Sequence, residues 1–188
     1  MSSQETQDRW DAIYGEHRSV GQPDSFVTTS EFLPSPPATA VDLAGGTGAT
    51  ALWLAANEYQ VSLVEISEVA IRVAKAEAVR RGLQLSTVHH DLESSKQLFD
   101  RWNVAICCNF LDRSLYPLLR NYVTPNGVLF VKVATVTNLE RHDKPSRRFL
   151  VETGELPGLL PGFEPLSFVE DWFDDRHEVR MVCRRVVN

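Results

Sequence analysis

Val41-Asp42-Leu43-Ala44-Gly45-Gly46-Thr47-Gly48-Ala49-Thr50-Ala51 is the stretch that decides how this chain folds. Its opening, with residues 38–40 ahead of it, is a mostly apolar run suited to a buried strand. Behind it, Ala51-Leu52-Trp53-Leu54-Ala55-Ala56 favours helix. Strand, glycine turn and helix in that order open a nucleotide-binding βαβ unit. Glycine carries no Cβ, so the backbone here can turn tightly and come close to a ligand.

The segment Gly46-Thr47-Gly48-Ala49-Thr50-Ala51 fits the dinucleotide pattern G-x-G-x-x-G/A. Asp42 argues for a different ligand. A carboxylate at the strand end, just before the glycines, would repel a pyrophosphate and would suit a ligand carrying an amine and no phosphate. S-adenosylmethionine (SAM), with its ammonium and sulfonium, is such a ligand. The run Asp42-Leu43-Ala44-Gly45-Gly46-Thr47-Gly48 resembles motif I of the class I, Rossmann-like SAM-dependent methyltransferases, with Ala44 in place of the family's usual first glycine. The resemblance implies SAM contacts from Asp42, Ala44, Gly45, Gly46 and Gly48, and S-adenosylhomocysteine (SAH) as product.

Working outward, Val61-Ser62-Leu63-Val64-Glu65-Ile66 alternates and is rich in β-branched residues, as a strand should be. It ends at Glu65, 17 residues past Gly48, near the spacing of a ribose-binding carboxylate. Ser67 then caps a helix predicted to run through Arg81, with Glu68 in its first turn and Gly82 as its stop. Strand three is read at residues 85–88, followed by His89-His90-Asp91-Leu92. Neighbours on a strand point to opposite faces, so the two histidines would not converge on a metal, and none is expected. By resemblance, Asp91 receives the adenine amino group, Leu92 and Ile66 flank the cofactor, and Asn109 and Phe110, closing strand four (residues 104–108), line the pocket beside the methyl.

Residues 125–127 read as a turn and 128–133 as an apolar strand five, interrupted by Lys132. The following segment, 135–148, holds Arg141, His142, Lys144, Arg147 and Arg148, a candidate cationic lid implying an anionic or polar acceptor. Two alternating runs, 163–168 and 178–187, joined by 170–177, suggest a closing antiparallel hairpin, which a methyltransferase sheet has and a dinucleotide-type sheet lacks. At the other end, Trp10, Ile13 and Tyr14 form a helical stripe within a segment reaching about residue 20. Trp10 and Tyr14 are expected to cover the cofactor. The runs 109–115, 145–150 and 154–156 resemble the small tellurite-resistance-type methyltransferases.

The expected architecture is α/β: a single Rossmann-like domain over residues 1–188, a three-layer sandwich with a seven-stranded, mostly parallel sheet. Residues 1–30 would form an N-terminal helical lid segment and 39–188 the core. Hydrophobic content of 43% and charged content of 23% are ordinary for a globular chain, and a net charge of −6 argues against broad capture of nucleic acid. No apolar run approaches the ~20 residues of a membrane span. The three cysteines, Cys107, Cys108 and Cys183, show no redox or metal spacing, and a cytoplasmic setting is expected.

The nucleic-acid amino-methyltransferases place an Asp/Asn-Pro-Pro-aromatic motif after strand four, where this chain has Asn109-Phe110 without prolines. The cysteine nucleophile of the RNA cytosine-C5 type is also absent. Methyl transfer to a small molecule, by in-line displacement at the sulfonium methyl, is therefore the reading, from a monomer or homodimer. Positioning alone can supply roughly 7–11 kcal/mol of the barrier. A general base helps only an acceptor with a proton to lose; the candidates are Asp112, Tyr116, His142 and His177. The alternatives are an NAD(P)-dependent oxidoreductase and a non-catalytic SAM-binding module.

Overall fold

Seven strands form one sheet in the order β3-β2-β1-β4-β5-β7-β6. The computed structural model describes residues 2–16, 19–98 and 100–187. The strands are β1 (Thr39–Leu43), β2 (Gln60–Glu65), β3 (Ser86–His89), β4 (Trp102–Cys108), β5 (Val123–Ala134), β6 (Phe163–Phe173) and β7 (Arg176–Arg185). β1 to β5 pair in parallel, and β7 runs antiparallel between β5 and β6. The helices are α1 (Ser3–Glu16), the single turn α2 (Ser25–Thr28), α3 (Ala49–Ala56) and α4 (Glu68–Arg81).

The central strands are apolar on both faces, and their alternation divides the core in two. Val41, Leu43, Ala105 and Cys107 point to one side, and Ala40, Val104 and Ile106 to the other. The second side is covered by helices: Val27 of α2, Ala51 and Leu54 of α3, and Ala74 of α4 pack there. The first side is covered by short 3-10 turns and loops, through Tyr116, Leu119, Leu156 and Leu160. The third layer of the expected sandwich is therefore built from turns in place of full helices.

Local signals account for the helix ends. Ser67 accepts from the Ala70 N–H to cap α4, and Gly82 ends it in the left-handed conformation. Two boundaries differ from expectation. Residues 125–127, read as a turn, lie inside β5: Trp102 pairs with Val123 and Val104 with Val128, so the extra residues form a bulge around Asn126, whose φ is +62°. The hairpin strands also run on through the segment read as their connection, leaving only Asp174 and Asp175 between them, with Asp174 at φ +54°. The helical segment expected to reach residue 20 is seen as Ser3–Glu16; positions 1, 17 and 18 of that reading lie outside the described residues.

The chain leaves β1 toward β2 and β3, then returns to place β4 on the other side of β1. Such a reversal opens a crevice beyond the carboxyl ends of the two strands, where open α/β sheets bind ligands.

Candidate active site

A cavity of about 670 Å³ lies at that crevice. Its floor is the turn after β1. Ala44, Gly46 and Gly48 all have positive φ, at +51°, +58° and +74°. For Gly46 the conformation coincides with a close approach, because a Cβ there would lie 2.6 Å from the Tyr14 hydroxyl. Gly45 is packed as tightly on the inner side. A Cβ on it would meet the Asp42 carboxyl carbon and Leu63, each at 2.6 Å. Gly48 does not line the cavity. It faces Leu63 and Ala74 and serves helix–strand packing, while Thr47, Ala49 and Thr50 line the wall in its place.

Asp42 is 4% exposed. Burial pushes its carboxyl up to about 7; a bond from the Ala51 backbone opposes this, and the nearby Glu65 and Asp24 add to it. Glu65, equally buried, is also raised by desolvation, against three backbone bonds that favour its charged form. The Gly46 N–H donates to its Oε2 at 2.8 Å, and the Ile66 and Ser67 N–H groups donate to its Oε1 at 2.9 Å. One carboxylate thus ties the glycine turn to the β2–α4 turn. Tyr14, stacked on Trp10 with ring centroids 5.7 Å apart, closes the cavity from α1. Burial, with the Glu65 and Asp42 charges, pushes its phenol up to about 12, so it stays a neutral donor.

At the β3 end, His90, Asp91, Leu92 and Glu93 line the wall beside Ile66. Burial would raise Asp91, but bonds from Ser3, Glu93 and Ser94 more than offset it and hold the carboxyl low. His89 and His90 diverge: Nε2 of the first lies 2.8 Å from the Ile66 carbonyl, and Nε2 of the second 2.8 Å from that of Ser95. At the β4 end, Asn109 takes φ +61° and donates its N–H to the Lys132 carbonyl at 2.7 Å; Cys108, Asn109, Phe110 and Lys132 all line the cavity.

None of the four acid–base candidates reaches the cavity wall. Asp112 is bound to Lys96 at 2.5 Å and to Ser114, where it organises a turn. Tyr116 is fully buried and donates to the Phe110 carbonyl at 2.6 Å. His142 contacts the Asp175 carbonyl, and His177 the Thr135 hydroxyl, at 2.8 and 2.7 Å. The cationic lid is absent from the wall as well. Arg141 stacks on Trp172, Arg148 on Phe149, and Arg147 pairs with Glu152. What the sequence reading missed is the loop before α2. Gln22, Pro23, Asp24 and Ser25 form one side of the cavity, and Asp24 makes an ion pair with Lys132. The lone lysine in the otherwise apolar run 128–133 was the available signal.

Residues 40–125 match the family model of the methyltransferase domain. No curated protein matches the chain in sequence. Among solved structures, the fold is similar to that of a protein studied for conversion of a disulfide bond into a thioacetal group during echinomycin biosynthesis (TM-score 0.77, 20% identity, covering 97% of this chain and 92% of that one). It is also similar to magnesium protoporphyrin IX methyltransferase from Synechocystis, solved with bound SAH (TM-score 0.76, 17% identity, 97% and 99% covered). TehB from Haemophilus influenzae is a third (TM-score 0.73, 17% identity, 93% and 66% covered).

The site also fits a cationic sulfonium cofactor on its own chemistry. Buried Asp42 and Glu65 stand where a pyrophosphate would need positive charge, and the one lysine on the described wall already faces Asp24. Residues 40–125 thus match a methyltransferase domain, the fold is one that SAM-dependent methyltransferases share, and the cavity suits S-adenosylmethionine as the cofactor.

Proposed function

We propose that this enzyme transfers the methyl of SAM to a small-molecule acceptor, working in the cytoplasm. The observation that carries the reading is the buried Asp42 carboxylate beneath a glycine turn with three left-handed residues, facing a cavity of ligand size. Asp42 compensates the cofactor's ammonium, and the ammonium in turn favours the ionised carboxylate. Glu65 accepts from a ribose hydroxyl with the lone pair that its three backbone donors leave free on Oε2. Asp91 and Leu92 hold the adenine, and Ile66 packs against it. Asn109 and Phe110 shape the end where the methyl lies. Trp10 and Tyr14 of α1 cover the whole and exclude water.

The cofactor supplies an electrophilic methyl whose transfer neutralises charge. The protein's task is then to align the acceptor and keep water out, worth roughly 7–11 kcal/mol when the geometry is right. A small acceptor is supported by the size of the cavity and by the lack of an added substrate domain between the described elements. The free thiols of Cys107, Cys108 and Cys183 agree with a reducing compartment. No helix among the described residues is long and apolar enough to cross a membrane.

The test is to incubate the protein with methyl-labelled SAM and an extract divided into low-mass and macromolecular fractions. Label entering the low-mass fraction, with stoichiometric SAH, is expected. Label confined to protein or nucleic acid contradicts the small acceptor, and no label in any fraction favours a non-catalytic SAM-binding module.

A further inference from the structure

The cavity wall is lopsided in charge. Asp24, Asp42, Glu65, Asp91 and Glu93 line it, against Lys132 as the one lysine or arginine among the described residues. Asp42, Glu65 and Asp91 face the cofactor in the reading above, and Glu93 is exposed. Asp24 has no such use. It sits before α2, where its Oδ1 accepts from the Phe26 N–H at 3.1 Å, and its own N–H donates to the Thr50 hydroxyl at 3.1 Å. Its Oδ2 pairs with Lys132. The two side chains are only 15% and 13% exposed.

Such a pair is costly to keep out of water, and an apolar residue would serve β5 better, as Phe130, Val131 and Val133 show. Lys132 pairs with Cys108 across the sheet and holds the Asn109 N–H at its carbonyl, so the ion pair stands at the β4 end of the cavity. An ionised carboxylate offers about four acceptor positions, and the Phe26 and Lys132 contacts take two.

We propose that Asp24 and Lys132 form the subsite of the methyl acceptor, and that the acceptor is a small protic nucleophile, an amine or a hydroxyl compound, rather than an anion. This rests on the SAM reading. Asp24 accepts the acceptor's N–H or O–H hydrogen bond and orients its lone pair toward the methyl. As the attacking nitrogen or oxygen bonds to the methyl carbon, the carbon–sulfur bond breaks and its electron pair stays on sulfur, leaving neutral SAH; the attacking atom sheds one proton, which passes to the Asp24 carboxylate and then to solvent. Lys132 is a positioning residue for Asp24. An anionic acceptor would have to take Lys132 from Asp24, stranding a carboxylate in a wall that already carries four others.

The experiment titrates SAH-saturated protein with fragments on one scaffold: benzylamine, benzyl alcohol, benzoate and phenylphosphonate. Asp24→Asn keeps an oxygen to cap α2, so the variant should fold, and its own SAH titration checks that the cofactor site is intact. Benzylamine or benzyl alcohol is expected to bind, to lose at least tenfold in Asp24→Asn and Lys132→Met, and to recover in Lys132→Arg, with SAH affinity changed less than threefold. The amine and alcohol arms separate the two acceptor types. Preferred binding of benzoate or phenylphosphonate that is lost in Lys132→Met overturns the proposal, as does the failure of benzylamine and benzyl alcohol to distinguish wild type from Asp24→Asn. Absence of SAH binding to the wild type removes the cofactor reading itself, a separate outcome.

Discussion

Asp42 and Glu65 are both buried acids whose charged forms the ligand-free fold disfavours, with the Asp42 carboxyl raised to about 7. The sign of the consequence follows from linkage. A folded-state value above the unfolded one adds stability at low pH that is lost as pH rises through the folded value. The ligand-free protein should therefore melt at lower temperature at pH 8 than at pH 5.5, and Asp42→Asn should flatten that slope; an unchanged slope in the variant would assign it to other groups. SAH reverses the direction for binding, because its ammonium favours the ionised Asp42. The SAH-induced rise in Tm should grow between pH 6 and 8, and a rise that shrinks over that range would place the ammonium elsewhere. Glu65 adds a structural load that no sequence pattern discloses: three backbone N–H groups converge on it. Glu65→Ala leaves those donors without their partner at a cost of about 1–3 kcal/mol in stability, and weakens SAH by roughly ten- to a hundredfold. Chemical denaturation and calorimetry on the same variant measure the two losses. A variant of wild-type stability would refute the bracing role, and unchanged affinity would remove Glu65 from the ribose.

Among the elements, α1 is tied to α4 by one of its own carboxylates. Asp11 Oδ1 accepts from the Ser67 hydroxyl at 2.5 Å and the Val69 N–H at 3.1 Å, so a residue of α1 helps cap α4. Burial would raise the Asp11 carboxyl, but these bonds more than offset it and lower it. The same Ser67 donates its backbone N–H to Glu65, whose other oxygen holds Gly46. Helix α1, the β2–α4 turn and the glycine turn are thus joined through Asp11, Ser67, Glu65 and Gly46 in sequence of contact. Asp11→Ala should cost about 1 kcal/mol, as the loss of a cap does, and should free α1. Faster amide exchange in residues 3–16 and several-fold quicker SAH release are expected; unchanged exchange there would show that the helix is anchored by its other contacts and not by Asp11. The amphipathic stripe of Trp10, Ile13 and Tyr14 made this helix visible in the sequence, but Asp11 did not stand out, since nothing local says that its partner lies 56 residues away. Strands β1 and β4 were legible because burial on both faces leaves nearly continuous apolar runs, and β2 through its alternation and β-branched residues. The bulge in β5 and the full length of β6 and β7 were not, because Pro125-Asn126-Gly127 reads locally as a turn and only pairing to β4 makes it strand.

At the scale of the molecule, the reversal of strand order between β1 and β4 puts the cavity where the sequence placed its glycine turn, and the turn's own residues were legible from Asp42 and the glycine spacing. The acceptor side was not. The four acid–base candidates and the cationic segment 135–148 were singled out by residue type and nearness in sequence, and those side chains are engaged by other partners without lining the wall themselves. Asp24 and Lys132, 108 positions apart, meet only because the loop before α2 crosses over the end of β5. The account as a whole depends on which ligand the buried acids under that turn were arranged to hold. Calorimetric titration of the purified protein with SAH, with NAD in parallel, addresses this most directly. Saturable binding of SAH, lost in Gly46→Val because a side chain there fills the space against Tyr14, with no heat from NAD, is the predicted result. Binding of NAD in preference to SAH would contradict it, and would mean that Asp42 faces something other than an ammonium.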